Sequence, residues 1–185
     1  MVRSPPTPIA PPVASALKSL SAYDDATVPD GADLRIGIVL AEYHTDITHP
    51  LYEGAVDTLR RHGVAEDAIH TVQVPGAFEL PAGARLLAGR EKLDAVICLG
   101  CVIKGETDHD VYINQSVAHA LQNLSIASGR PFIFGLLTPN THAQAAARAG
   151  GEHGNKGVEC AVAALRMAAL KKASAEPKKG IGFGR

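Results

Sequence analysis

Seven consecutive residues, Lys104-Gly105-Glu106-Thr107-Asp108-His109-Asp110, gather a glycine, a hydroxyl, carboxylates and a histidine at the start of a helical stretch. The first backbone N–H groups of a helix lack intrahelical partners and stand at the positive end of its dipole, so such a segment can hold an anion such as phosphate. A plainer reading also fits Thr107 and Asp110, which have the spacing of a capping-box pair. His109 is harder to treat as a cap. Imidazole changes charge near neutral pH, and beside an anion-binding loop it is suited to passing protons.

Other phosphate devices are missing from the sequence. Gly154-Asn155-Lys156-Gly157 lacks the G-K-[ST] ending of a P-loop, and no strand-like run is followed by G-x-G-x-x-G, which disfavours nucleoside triphosphates and dinucleotides. The eight histidines are scattered without H-E-x-x-H or a comparable ligand spacing, so no metal is expected. Cys98 and Cys101 form a C-x-x-C inside the apolar run 95–103, where their odd spacing sends the two side chains to opposite faces of a strand. No second pair completes a tetrahedral zinc site. With Cys160 the cysteines number three, which cannot be a closed disulfide framework, and their apolar surroundings favour buried, reduced thiols.

The elements that must position these residues alternate along the chain. A strand is expected over 35–41, a helix after Thr48-His49-Pro50 that ends at Gly63, a strand over 69–74 and a helix over 84–90. A third strand spans 94–103, a long amphipathic helix runs to Gly129, and a fourth strand covers 131–137. A short alanine-rich helix ending at Gly150 and a final helix over about 157–172 complete the domain. Strands that are apolar along most of their length, each followed by a helix, indicate an α/β sandwich with a four-stranded parallel sheet covered on both faces. Ligands of such sheets bind beyond the carboxyl ends of the strands. The segments to inspect are therefore Glu42-Tyr43-His44, Pro75-Gly76-Ala77-Phe78-Glu79, the 104–110 loop and Thr138-Pro139-Asn140, all on one rim.

The final helix is apolar nearly all round, with only Glu159 and Arg166 polar before its closing lysines. Four strands have little with which to cover its far face, so self-association is expected, against the alternative of an alanine face tolerated in water. Residues 1–32, with prolines at 5, 6, 8, 11, 12 and 29, read as a flexible extension, 33–172 as one domain and 173–185 as a flexible basic tail. A length of 185 residues suits one domain, and a net charge of −1 without a basic run leaves no footprint for nucleic acid. No stretch suits a membrane span or a secretory signal, so a cytoplasmic location is expected.

Five motifs, in order and at matching spacing, make residues 34–172 resemble the lumazine synthase family: Pro75-Gly76-Ala77-Phe78-Glu79-Leu80-Pro81, Gly100-Cys101-Val102-Ile103-Lys104-Gly105-Glu106-Thr107 with His109, Phe134-Gly135-Leu136-Leu137-Thr138, Arg148-Ala149-Gly150, and Gly154-Asn155-Lys156-Gly157. The resemblance implies a flavodoxin-like three-layer sandwich assembled as a pentamer, or as twelve pentamers in a 60-subunit shell, with active sites between neighbours and riboflavin synthase as a partner. It implies condensation of 5-amino-6-(D-ribitylamino)uracil with 3,4-dihydroxy-2-butanone 4-phosphate, without a cofactor. Tyr43 takes the place of the aromatic that stacks on the pyrimidine. Ala77, Phe78, Glu79, Cys101, Val102, Ile103 and Phe134 match positions lining the ribityl-aminouracil pocket. Glu106, Thr107 and Arg148 match those around the sugar phosphate, with Lys156 close by, and His109 matches the histidine that moves protons.

The sequence departs from the pattern in two places. Glu106 puts a carboxylate in the phosphate loop, so an anion there must rely on backbone N–H groups. Asp110 and Val111 precede Tyr112 where an aromatic followed by an acid is more usual, which alters the surroundings of His109. Taken alone, Arg148 also reads as a cation at the end of a helix. A non-catalytic relative that stores flavin or builds a shell is the main rival, and His109 with Arg148 argues against it. The short loop from Gly150 to Asn155 favours a closed shell, whereas the proline-rich extension could obstruct one.

Overall fold

Strands β1 (Ile36–Ala41) and β3 (Ala95–Cys101) bury every residue, because each lies inside a sheet covered on both faces. They are central in the computed structural model, which describes residues 23–175. The sheet has the order β2-β1-β3-β4, with β2 spanning Ile69–Val74 and β4 Phe132–Leu137, and every pairing is parallel. β2 is an edge strand, and its side chains are only partly covered until Val74. The chain steps from β1 outward to β2, then back across to β3. The order therefore reverses between β1 and β3, the place where an open α/β sheet leaves a crevice at its carboxyl end.

Alternation along the strands sorts the core into two layers. Ile36, Ile38, Leu40, Ala95, Ile97, Leu99 and Cys101 face α1 (Thr45–Arg61) and α5 (Lys156–Ala175). Val39, Ala41, Val96 and Cys98 face α2 (Leu80–Arg90) and α3 (His109–Ser128). The expected four-stranded parallel sandwich is thus the observed one. Cys98 and Cys101 do lie on opposite faces, and all three thiols are free and buried. Burial pushes Cys101 up to about 11 and Cys160 up to about 12, and raises Cys98 as well.

Several boundaries differ from expectation. α1 begins at Thr45, so Pro50 lies inside its second turn rather than before its start. A proline there leaves one carbonyl of the preceding turn without its N–H. Complete burial of Leu51 and near-complete burial of Ile47 outweigh that loss, and the carbonyl of Pro50 itself accepts from Asn155 Nδ2 at 2.9 Å. α2 begins at Leu80, following a 3-10 turn over Ala77–Glu79. Between α4 (His142–Ala147) and α5 lies an unforeseen antiparallel ribbon of β5 (Ala149–Gly151) and β6 (Gly154–Asn155), with Glu152 and His153 at its tip.

The Gly154-Asn155-Lys156-Gly157 motif proves to be a helix start and a packing joint. Asn155 Oδ1 accepts from the N–H of Gly157 at 2.8 Å. A Cβ at Gly157 would stand 1.8 Å from the carbonyl oxygen of Leu51, so only glycine lets α1 and α5 approach so closely. That approach also gives the last helix a cover not expected from the four strands. α1 packs along α5 and covers much of the face that four strands could not, leaving Met167 and Leu170 as its exposed large apolar side chains.

The start of the packed chain also moves. Of the extension expected over 1–32, residues 1–22 lie outside the described residues, whereas 23–32 pack on the domain. Val28 rests against the core, Arg166 Nη2 donates to Thr27 Oγ1 at 2.9 Å, and Gly31 N donates to the His62 carbonyl at 2.7 Å. Of the expected tail, 173–175 form the end of α5 and the remainder lies outside the described residues. No helix among the described residues is long and apolar enough to cross a membrane.

Candidate active site

Hydrogen bonds between successive rim loops continue the sheet beyond its strands. Glu42 N donates to Val74 O, Val102 N to Leu137 O and Lys104 N to Pro139 O, at 2.9–3.0 Å. The loop after β1 is thereby held to the end of β2, and the loop after β3 to the end of β4 and the loop beyond it. Two cavities open there.

The first, of about 410 Å³, lies at the β1/β3 switch point and is lined by Tyr43, His44, Gly76, Ala77, Phe78, Glu79, Cys101, Val102, Ile103, His109 and Ile113. Tyr43 and Phe78 are 70% and 60% exposed, so two aromatic side chains in its lining are open to solvent, the kind of surface on which a flat molecule can stack. The floor is apolar. Cys101 contributes to it as a neutral thiol, because its raised pKa leaves almost no thiolate near neutrality. His109 is the first residue of α3, so its ring stands where the helix's free N–H groups begin.

That helix start is uncapped. Asp108 occupies the cap position without a side-chain hydrogen bond, so the capping box considered for Thr107 and Asp110 does not form. Asp110 Oδ1 and, one turn on, Asn114 Oδ1 are buried with no hydrogen-bond partner among the described residues. Buried oxygens of this kind are normally satisfied, and their state fits a face that another molecule completes. Glu106 and Thr107 are exposed and line neither cavity.

The second cavity, of about 700 Å³, is lined by Phe134, Thr138, Asn140, Gln144, Arg148, Glu152, His153 and Lys156, with neighbouring apolar residues. Arg148 follows α4 and is fixed by its backbone, its N–H on Ala145 O at 3.0 Å and its carbonyl accepting from Lys156 N at 2.9 Å. Its guanidinium has no hydrogen bond or ion pair among the described residues, whereas Lys156 Nζ holds Glu159 Oε2 at 2.8 Å. A free planar fork suits a phosphate better than a paired ammonium does.

Of the residues expected from sequence, Tyr43, Ala77, Phe78, Glu79, Cys101, Val102, Ile103 and His109 meet in the first cavity. Phe134, Arg148 and Lys156 meet in the second. One chain does not bring the two sets together. Three features were missed. His44 lines the first cavity, and its left-handed backbone has no sequence signature. His153 lines the second, on the tip of the unforeseen ribbon. A hydrogen bond between His142 and Asp46 ties the start of α4 to the start of α1 and holds the Asp46 carboxyl below its ordinary range. No sequence signal links two residues so far apart.

Comparison with known proteins adds an independent line. The family model described as 6,7-dimethyl-8-ribityllumazine synthase matches residues 33–172. A Porphyromonas gingivalis protein of that name is 50% identical over 160 residues, which cover 86% of this chain and 99% of that protein. Its namesake in Parabacteroides distasonis is 48% identical over 155 residues, covering 84% and 97%. The Cytophaga hutchinsonii protein of the same name is 47% identical over 157 residues, covering 85% and 98%.

Proposed function

The chain belongs to the 6,7-dimethyl-8-ribityllumazine synthase family of riboflavin-biosynthesis transferases, and from that premise we propose that its two cavities are halves of one site shared between neighbouring subunits. The observation that carries the proposal is their separation: His109 and the aromatic slot line one cavity, and Arg148 lines the other. In a closed ring with head-to-tail contacts, the first cavity of each subunit meets the second cavity of the next. A homopentamer, alone or as the unit of a shell, has this symmetry. Exposed Leu86, Tyr112, Ile126, Met167 and Leu170 are the apolar surface that such contacts would cover.

The substrates are 5-amino-6-(D-ribitylamino)uracil and 3,4-dihydroxy-2-butanone 4-phosphate. The pyrimidine stacks on Tyr43 with its amine towards His109, and the phosphate lies between Arg148 and the uncapped start of α3. The amine attacks the ketone and the adduct loses water to an imine, phosphate leaves, and ring closure releases a second water. His109 moves the protons of these steps, while Arg148 offers a bidentate fork to the phosphate before and as it departs. Holding the two substrates together removes much of the entropic barrier to their reaction.

Purified protein incubated with both substrates should form the fluorescent lumazine and release one phosphate per product. Absence of product from folded oligomer would defeat the assignment. It would favour the shell or storage protein that keeps the aromatic pocket without turnover.

A further inference from the structure

Among the described residues, His44 is the one non-glycine with a positive φ, at φ 59° and ψ 56°. The twist has a structural use. It ends the β1 rim and turns the His44 carbonyl towards the N–H groups of Ile47 and Thr48, at 2.9 and 2.8 Å, which starts α1. Glycine or asparagine would adopt that conformation at lower cost, so the turn alone does not call for an imidazole. Strain held at the edge of a cavity points to work done by the side chain.

His44 lines the first cavity, and its ring stands edge-on to Tyr43, with centroids 5.5 Å apart and planes at 77°. Tyr43 is 70% exposed, makes no hydrogen bond among the described residues, and has His44 as its one ring neighbour there. An aromatic so exposed would otherwise lose rotamer freedom each time it stacks on a ligand. An edge-to-face neighbour reduces that loss by holding the ring in its stacking orientation beforehand.

We propose that His44 is a positioning residue for the pyrimidine, its imidazole holding Tyr43 ready to stack, and that the left-handed turn is occupied by histidine for this purpose. The proposal rests on the assignment of Tyr43 to the ribityl-aminouracil. It concerns affinity for that substrate and not the proton transfers, which belong to His109.

Steady-state kinetics of His44→Asn and His44→Gly, both compatible with the turn, test it against thermal melts. KM for the aminouracil should rise roughly three- to tenfold, with kcat within about twofold and an unchanged or higher melting temperature. In a Tyr43→Ala background, His44→Asn should add nothing further, because the ring it positions is gone. An unchanged KM, a fall in kcat instead, or an equal rise in both backgrounds would overturn the proposal. If Tyr43→Ala itself leaves KM untouched, the pocket assignment fails and the proposal with it. A rise with Tyr43→Ala but none with His44→Asn overturns the proposal alone.

Discussion

His109 stands where a helix start, an aromatic slot and an apolar floor meet, and its surroundings define the size of its task. General acid–base catalysis contributes about 10²–10⁴-fold, while pairing and orientation of the substrates survive its removal. His109→Ala should therefore slow lumazine formation by roughly 10- to 1000-fold without abolishing it. A rate equal to that of the unmodified protein would take His109 out of the mechanism. Asp46 is a second residue whose chemistry can be measured. The hydrogen bond from His142 is the largest cause of its lowered pKa. A carboxyl depressed in the folded state contributes stability above its ordinary pKa and loses it as pH falls through the folded value, so any such effect is confined to acid. Replacing His142 by Ala should move the Asp46 titration, followed by carboxyl NMR, upward towards the ordinary carboxylate range. A titration that stays depressed would leave the hydrogen bond without an effect.

Among the elements, α1 and α5 are held at short range by Gly157 near their starts, and the segment before β1 packs further along both helices, on His62 and Arg166. Residues 23–32 offer half-buried Val28, the Thr27 contact to Arg166, and a 3-10 turn whose Asp25 carboxylate lies 3.4 Å from His62 Nε2. Protein lacking residues 1–30 should accordingly melt lower than protein lacking 1–22, by the few degrees that about 1 kcal/mol represents in a domain of this size. Equal melting temperatures would show that the segment lies on the domain without stabilising it. At the other end of the fold, α3 buries only Val117 and Leu121 of its twenty residues. So little burial for so long a helix, with two orphaned carboxyl and amide oxygens near its start, is what the shared-site proposal expects of a helix that a second subunit would cover.

For the whole molecule, the shared-site proposal predicts complementation. Oligomers of His109→Ala and of Arg148→Ala should each turn over slowly, and dissociating, mixing and reassembling them in equal amounts should restore activity. An interface is restored when one side carries an intact histidine and the other an intact arginine, each with a probability of about one half, so about a quarter of sites should recover in a closed ring. Recovery near that level places each site between two chains. No recovery, with hetero-oligomers demonstrated by mass spectrometry, would mean that both residues serve one site from one chain.

The order of strands and helices, the parallel sheet and the rim along which the candidate residues gather were legible in the sequence, because they follow from local periodicity and from the rule that ligands bind beyond the carboxyl ends of strands. Five spaced motifs identified the family as well, and Cys98 and Cys101 could be sent to opposite faces by counting alone. Contacts distant along the chain were beyond such reading. Pro50 stays inside α1 because Leu51 and Ile47 are buried by elements far along the chain, and Gly157 matters because of a carbonyl on another helix. The left-handed turn at His44, next to Tyr43 in the sequence, has no signature in the residue type and is seen only in the backbone. The division of the expected site into two cavities is likewise a tertiary fact. Side-chain type and spacing reveal which residues can do chemistry, but the distance between two loops depends on how far apart the sheet and its helices hold them.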